Sequence, residues 1–180
     1  MSGKVIAIDW DETVVDVLPI WKKWCAAFFG LEYEGNEYDL TKIYGEEAMT
    51  FWSTPFLYQK LTPRQDAVEY ITRLNDDGYE IGFVTYCKKA HLSSKCKMIK
   101  KHFPFYKFIQ ATKEKGYTRC DYFIDDRNKY LNQQPCGVKL IKIETPYTQD
   151  QQLELDGKWF MSAADWRSVY EIIISEDSME

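Results

Sequence analysis

Residues 5–8 form an uninterrupted apolar run, Val-Ile-Ala-Ile, that ends in Asp9-Trp10-Asp11. A short continuous run of this kind reads as a strand buried on both faces of a parallel sheet. Ligands of open α/β sheets gather beyond the carboxyl ends of such strands. Two carboxylates placed there repel one another and resist burial unless a cation or hydrogen bonds offset their charge. A cation site at the end of the first strand is therefore the first expectation.

The same pattern recurs downstream. Residues 79–85 predict a strand ending in Thr85, residues 108–109 a brief one, residues 121–124 one ending in Asp125-Asp126, and residues 138–143 the last. Helices are predicted over residues 90–102, which end before Pro104, and over residues 163–174. Strands separated by helices require right-handed crossovers and a parallel sheet covered on both faces. Nearer the N-terminus, residues 15–29 predict an amphipathic helix in which Pro19 either falls within the first turn or makes a kink, and residues 46–52 a short one. Thr62-Pro63-Arg64 opens a further helix that stops at Asn75-Asp76-Asp77-Gly78. Residues 30–44 read as a loop. No strand is evident between residues 14 and 77. The expected architecture is α/β: a doubly wound parallel sheet built from residues 1–13 and 78–180, with residues 14–77 inserted after the first strand as a small helical cap.

The chain's 180 residues suffice for one such core. A net charge of −5 argues against an extended phosphate-coating surface and so against a polynucleotide partner, while leaving room for a local basic pocket. No apolar stretch approaches membrane-spanning length, and Met1-Ser2-Gly3-Lys4 leads straight into the first strand. A cytoplasmic protein without a membrane partner is expected. Its five cysteines show no CxxC spacing and are read as reduced thiols; with two histidines beside them, a structural zinc site is not expected.

In a parallel sheet the strand ends share one rim, so Asp9, Asp11, Thr85, Lys115 and Asp125-Asp126 would converge. Carboxylates suit Mg2+, and a hydroxyl with an ammonium can hold the oxygens of a phosphate. The chemistry this assembles is phosphoryl transfer. Attack by Asp9 would form an aspartyl-phosphate, and Asp11 would protonate the leaving alkoxide and then activate water. Taken singly, each residue has a plainer reading. An acid pair caps a loop, Thr85 ends a strand, and Lys115 or Lys113 is a solvated lysine. Four motifs at four strand ends outweigh those readings.

Asp9-x-Asp11-x-Thr13, Thr85, Lys115 and Asp125-Asp126 resemble, in order, the four motifs of the haloacid dehalogenase (HAD) superfamily in its phosphatase branch, which Asp11 marks. More narrowly, the chain is similar to the 5′(3′)-deoxyribonucleotidases. It shares with them Asp16 after the first motif, the Thr112-Lys113-Glu114-Lys115 stretch, Phe51-Trp52 through Leu61-Thr62-Pro63, and the closing Ser162-Ala163-Ala164-Asp165-Trp166. The resemblance implies Asp9 as nucleophile, Asp11 as acid/base, and Thr85 and Lys115 as phosphate binders. It implies Asp9, the Asp11 backbone carbonyl and Asp125 as ligands of Mg2+. The implied activity is hydrolysis of nucleoside monophosphates, deoxy forms preferred. The alternatives are a phosphatase for another small metabolite such as a sugar phosphate, or a non-catalytic nucleotide binder.

The chain departs from that family at Glu12, where Gly is frequent, at Tyr86-Cys87 in place of Ser-Pro, and at Val17 in place of an aromatic. These departures leave base and sugar preference open. Phe51 or Trp52 is expected to stack on a base. Lys89 either reaches the phosphate or belongs to a solvated Lys88-Lys89 face, and Asp126 is either structural or positions a water. Cap aromatics left at the surface would serve a homodimer as readily as a base.

Overall fold

The computed structural model describes residues 3–53, 57–147 and 152–179; the cap aromatic Phe56 lies outside them. Strands β1 Val5–Ile8, β2 Glu80–Thr85, β3 Phe108–Ala111, β4 Tyr122–Asp125, β5 Lys139–Ile143 and β6 Phe160–Ala163 form one sheet in the order β3-β2-β1-β4-β5-β6. Every pairing is parallel. Helices α1 Leu18–Phe29, α2 Thr41–Tyr44, α3 Gln65–Asp76, α4 Lys89–His102, α5 Asn128–Asn132 and α6 Trp166–Asp177 connect them, with 3-10 turns at Glu46–Ser53, Leu57–Gln59 and Lys115–Tyr117. This is the α/β parallel sheet that the apolar runs predict.

Side chains alternate across the sheet, so each strand feeds two cores. On one face, Ile6, Ile8, Ile81, Phe83 and Ile124 join Ile71 and Leu74 of α3, Ile99 of α4 and Ile173 of α6 in a single apolar cluster. On the other face, Ala7, Val84, Phe123 and Leu140 meet Tyr130 and Leu131 of α5. Burial on both sides is why these strands read as unbroken apolar runs. β1 lies at the centre with β2 on one flank and β4 on the other. The carboxyl ends of these three strands are therefore neighbours at the point where the winding reverses.

The segment between β1 and β2 is pinned at its base. The Arg64 backbone N–H donates to the Val14 carbonyl at 2.9 Å, and the Arg64 guanidinium to Asp16 Oδ1 at 2.7 Å. Helix α3 buries Ala67, Ile71 and Leu74, a one-sided stripe at helical spacing, and packs against α6 and β2. Residues from α1 and the Glu46–Ser53 turn add an aromatic group continuous with the first of these cores, with the Trp21 and Phe51 rings stacked 6.1 Å apart.

Glu12 sets the start of α1. Its Oε1 accepts from the Val17 and Leu18 backbone N–H groups at 2.8 and 2.6 Å. Its own backbone sits at φ 61°, in the left-handed region, which costs a side-chain-bearing residue about 1–2 kcal/mol. Burial raises its carboxyl to about 7. Glu12→Ala keeps the strain and strands two buried donors, so a stability loss of about 2–3 kcal/mol is expected in urea unfolding. Glu12→Gly also removes the donors' partner but relieves the backbone, and should cost about 1 kcal/mol less. Equal losses for the two variants would remove strain from the account.

One part of the sequence reading is corrected. The strand at residues 138–143 is not the last, and the closing helix does not begin at residue 163. Strand β6 pairs with β5 at the sheet edge, and α6 begins at Trp166 with Asp165 as its cap, accepting from the Ser168 N–H at 2.8 Å. Only Ala163 of the four β6 residues is buried, so this edge strand shows no apolar run. None of the described helices is long and apolar enough to cross a membrane.

Candidate active site

Asp9 extends β1 by one residue, its N–H donating to the Ile124 carbonyl at 2.8 Å. Trp10 turns the other way into the core, edge-on to Phe83 and Phe103 at 5.3 and 6.0 Å. Strand alternation then leaves Asp9 and Asp11 on the rim. Asp125 closes β4 and Asp126 follows it. Lys115 arrives from the turn after β3, and Gly116 lets that turn lie close to the end of α5. A Cβ at position 116 would come within 2.3 Å of the Gln133 carbonyl oxygen. The Lys115 N–H donates to Gln133 Oε1 at 2.8 Å. So held, Lys115 Nζ bonds Asp9 Oδ1 at 2.5 Å and Asp125 Oδ2 at 2.7 Å. Thr13 Oγ1 donates to Asp126 Oδ1 at 3.3 Å.

Oxygens of Asp9, Asp125 and Asp126 all lie within 4.8 Å of one another, and all three residues are buried. Three buried carboxylates against one ammonium are short of positive charge. Burial raises Asp9, against the pull of Lys115 and with Asp11 adding to it. Burial likewise raises Asp125 to about 7, opposed by Lys115 and reinforced by Asp9. Asp126 is raised well above the carboxylate range by burial and then by Asp125 and Asp9. The Lys115 ammonium is held charged by Asp125 and Asp9 in spite of its burial. Asp126 Oδ2 is buried without a hydrogen-bond partner among the described residues. An all-oxygen donor set with an orphaned, charge-deficient oxygen fits a hard divalent cation. Asp126, for which the sequence left two roles open, thus stands inside the cluster.

The Asp11 side chain points elsewhere. Tyr58 Oη donates to its Oδ1 at 2.6 Å, and Lys95 Nζ to its Oδ2 at 2.7 Å. Lys95 also donates to the buried Thr85 Oγ1 at 2.7 Å. Burial, then Asp11, push the Tyr58 phenol far above its ordinary range, so it stays a donor. Sequence reasoning missed Lys95, because a lysine in a lysine-rich helix defaults to solvent. A signal existed: Lys95 shares one face of α4 with His91, Met98 and Ile99, all buried.

Beside Asp11 opens a cavity of about 500 Å³. Trp52, Tyr38 and Met49 of the segment between β1 and β2 line one side, and Tyr86, Lys88 and Arg127 contribute from the strand-end loops. The Arg127 guanidinium lies over the Tyr38 ring at 4.8 Å, spanning from rim to insert. Of the two consecutive aromatics, Trp52 is on the cavity wall, whereas Phe51 is buried against Trp21 and Trp24. Lys89 is exposed on the first turn of α4, outside the cavity lining, and its neighbour Lys88 is within it.

A family model described as "5′ nucleotidase, deoxy (Pyrimidine), cytosolic type C protein" matches residues 3–178. The chain belongs to this family. The match takes in every strand and every rim residue described above. Among solved structures, this nucleotidase-family chain is similar to a haloacid dehalogenase-like family hydrolase from Xanthomonas campestris, with a TM-score of 0.64 and 13% identity over 99% of this chain and 97% of that one. A HAD family hydrolase from Deinococcus radiodurans, solved with phosphate and sodium, gives 0.60 and 13% over 97% and 96%. The Bacillus subtilis protein YfnB, described as a HAD hydrolase bound to magnesium, gives 0.57 and 12% over 96% and 99%. At these identities the likeness is one of fold: the parallel sheet is that of the HAD hydrolases. No match was found among curated proteins.

Proposed function

We propose that the chain is a Mg2+-dependent phosphomonoesterase that hydrolyses nucleoside monophosphates, of the 5′(3′)-deoxyribonucleotidase type. The observation that carries this reading is Asp11 on the wall of a cavity of about 500 Å³, two residues from Asp9 and its Lys115 and Asp125 partners. A cavity of this volume falls within the range of about 300–1,000 Å³ of small-molecule sites. Membership of the deoxynucleotidase family supports the same substrate class.

In this reading an Asp9 carboxylate oxygen attacks phosphorus, and the bond to the nucleoside oxygen breaks, leaving an aspartyl-phosphate. Asp11 gives its proton to the departing oxygen. It then takes one from the water that attacks phosphorus and breaks the Asp9–phosphate bond, releasing inorganic phosphate. Lys115 and Thr85 hold the equatorial oxygens. Asp9, the Asp11 backbone carbonyl and Asp125, with Asp126 in reach, would hold Mg2+, which would supply positive charge to the transferring group. Residues 14–77 act as the cap, and those facing the cavity exclude bulk water from the reaction. We place the activity in the cytoplasm, in keeping with five free thiols.

Trp52 is assigned the base-stacking role and Phe51 a place in the core of the insert. Trp52→Ala should raise KM for a nucleotide by about tenfold, a stacked base being worth about 1–3 kcal/mol. Phe51→Ala should instead lower stability by about 3–5 kcal/mol. Steady-state kinetics beside urea unfolding separates the two, and a KM effect confined to Phe51→Ala would reverse the assignment.

The reading as a whole is tested by phosphate release from ribo- and deoxyribonucleoside 5′- and 3′-monophosphates, sugar phosphates and an aryl phosphate, each with and without Mg2+. Strong Mg2+-dependent turnover of one or two deoxynucleotides is expected. Turnover of sugar phosphates alone would move the substrate to another metabolite class. No turnover by folded protein would leave a nucleotide-binding role.

A further inference from the structure

We propose that Tyr58 and Lys95 are positioning residues for Asp11, and that Tyr58 makes the seating of the inserted segment a condition for aiming that carboxylate. The inference rests on the phosphomonoesterase reading, in which Asp11 is the acid/base.

Both oxygens of Asp11 are taken by donors from different parts of the fold. Tyr58 Oη lies 2.6 Å from Oδ1, and Lys95 Nζ lies 2.7 Å from Oδ2. Hydrogen bonds of this kind, short and to a carboxylate, are about twice as strong as neutral ones. The two donors also engage each other, with Lys95 Nζ 4.7 Å from the centre of the Tyr58 ring. Three groups that touch pairwise admit few orientations of any one of them. Lys95 further bonds Thr85 Oγ1 at 2.7 Å, which ties the orientation of Asp11 to the hydroxyl assigned to the phosphate.

Tyr58 and Lys95 are 1% and 0% exposed and stand outside the cavity lining, whereas Asp11 is part of it. They therefore act through Asp11 and not on the substrate. Their origins differ. Asp11 follows β1, Lys95 sits on α4, and Tyr58 belongs to the Leu57–Gln59 turn of the insert, which packs against α4. A displacement of that turn withdraws the donor on Oδ1 and leaves Lys95 alone to set the carboxylate. Substrate enclosure by the insert and alignment of the acid/base then occur together.

The alternative is that a half-buried carboxylate merely needs partners, and that the two donors serve stability alone. A nucleoside alkoxide needs a proton to leave, whereas p-nitrophenolate leaves without one. Tyr58→Phe in the full chain removes only the hydroxyl. Single-turnover release of nucleoside from a deoxynucleoside monophosphate is expected to fall at least tenfold further than release of p-nitrophenol from its phosphate, part of the roughly 100- to 10,000-fold that a positioned acid supplies. KM should hold for both substrates. Equal falls for the two leaving groups would overturn the proposal. Crystal structures of Tyr58→Phe and Lys95→Met give a readout free of activity. Asp11 is expected to turn from its present orientation in at least one of them, and an unchanged Asp11 in both would overturn the proposal. Wild-type protein that releases neither leaving group would instead count against the phosphomonoesterase reading, and the crystallographic comparison would still judge the positioning.

Discussion

Asp9→Asn is expected to abolish phosphate release, lowering kcat by at least about 10,000-fold, the scale of losing a covalent nucleophile. The substitution is nearly isosteric but removes the attacking oxygen's charge. Folding should survive it. The cluster of Asp9, Asp125 and Asp126 carries one ammonium against three buried carboxylates, so losing one carboxylate relieves repulsion. The variant is therefore expected to melt no lower than wild type without metal, and to gain less from added Mg2+. Phosphate release assayed beside thermal melting checks both halves. Residual activity above about one part in a hundred would place the nucleophile elsewhere.

Lys115→Met carries a large expected effect on stability. Lys115 is 1% exposed and bonds two carboxylates, so its removal leaves three buried acids without a counter-charge. Breaking a buried ion pair from one side costs about 3–5 kcal/mol. The sign of the pH dependence follows from the direction of the shifts. Asp125 rises from its ordinary 3.8 to about 7 in the folded protein, chiefly through burial. A carboxyl raised on folding favours the folded state at low pH, and that contribution is lost as pH climbs through this window. Removing Lys115 takes away the charge that restrains the rise. The deficit of the variant should therefore be small near pH 5, where the acids take up protons, and greatest near pH 8. Saturating Mg2+ should recover much of it at pH 8, since a divalent ion replaces the missing charge. Urea unfolding at the two pH values, with and without Mg2+, measures this. A deficit that is the same in all four conditions would refute the electrostatic account of the cluster.

Much of the framework is written in consecutive residues. β1 and β4 are legible because a strand buried on both faces has no polar position to interrupt it, as in Ile6-Ala7-Ile8 and Tyr122-Phe123-Ile124. The same runs announce their ends, since Asp9, Thr85 and Asp125 are the first polar side chains after apolar ones. Parallel pairing then brings those ends to one rim whatever lies between them. Strand β6 shows the converse: it is four residues long, paired on one side only, and half exposed. Its residues face too mixed an environment to leave a run.

Other features depend on docking between segments remote in sequence. Trp52 and Phe51 are adjacent and chemically alike and both touch Trp21, and only the packing of their turn on α1 sends one to the cavity wall and the other against Trp24. Lys89 and Lys95 share one helix with Lys88 as its cap, and the burial of Lys95 alone follows from meeting Asp11, Thr85 and Tyr58 across three elements. Asp126 is buried with its Oδ1 on Thr13, from beyond the end of β1, and its Oδ2 without a partner among the described residues, a state that no run of neighbours in sequence announces. What the chain by itself determined was strands β1 to β5, the order of their polar ends and the family they mark, because apolar burial and strand-end chemistry are local properties of short segments. The tertiary structure alone decided that Lys95, Trp52 and Tyr58 join Lys115 around those ends, because burial and hydrogen bonding of a long side chain are settled by what packs against it.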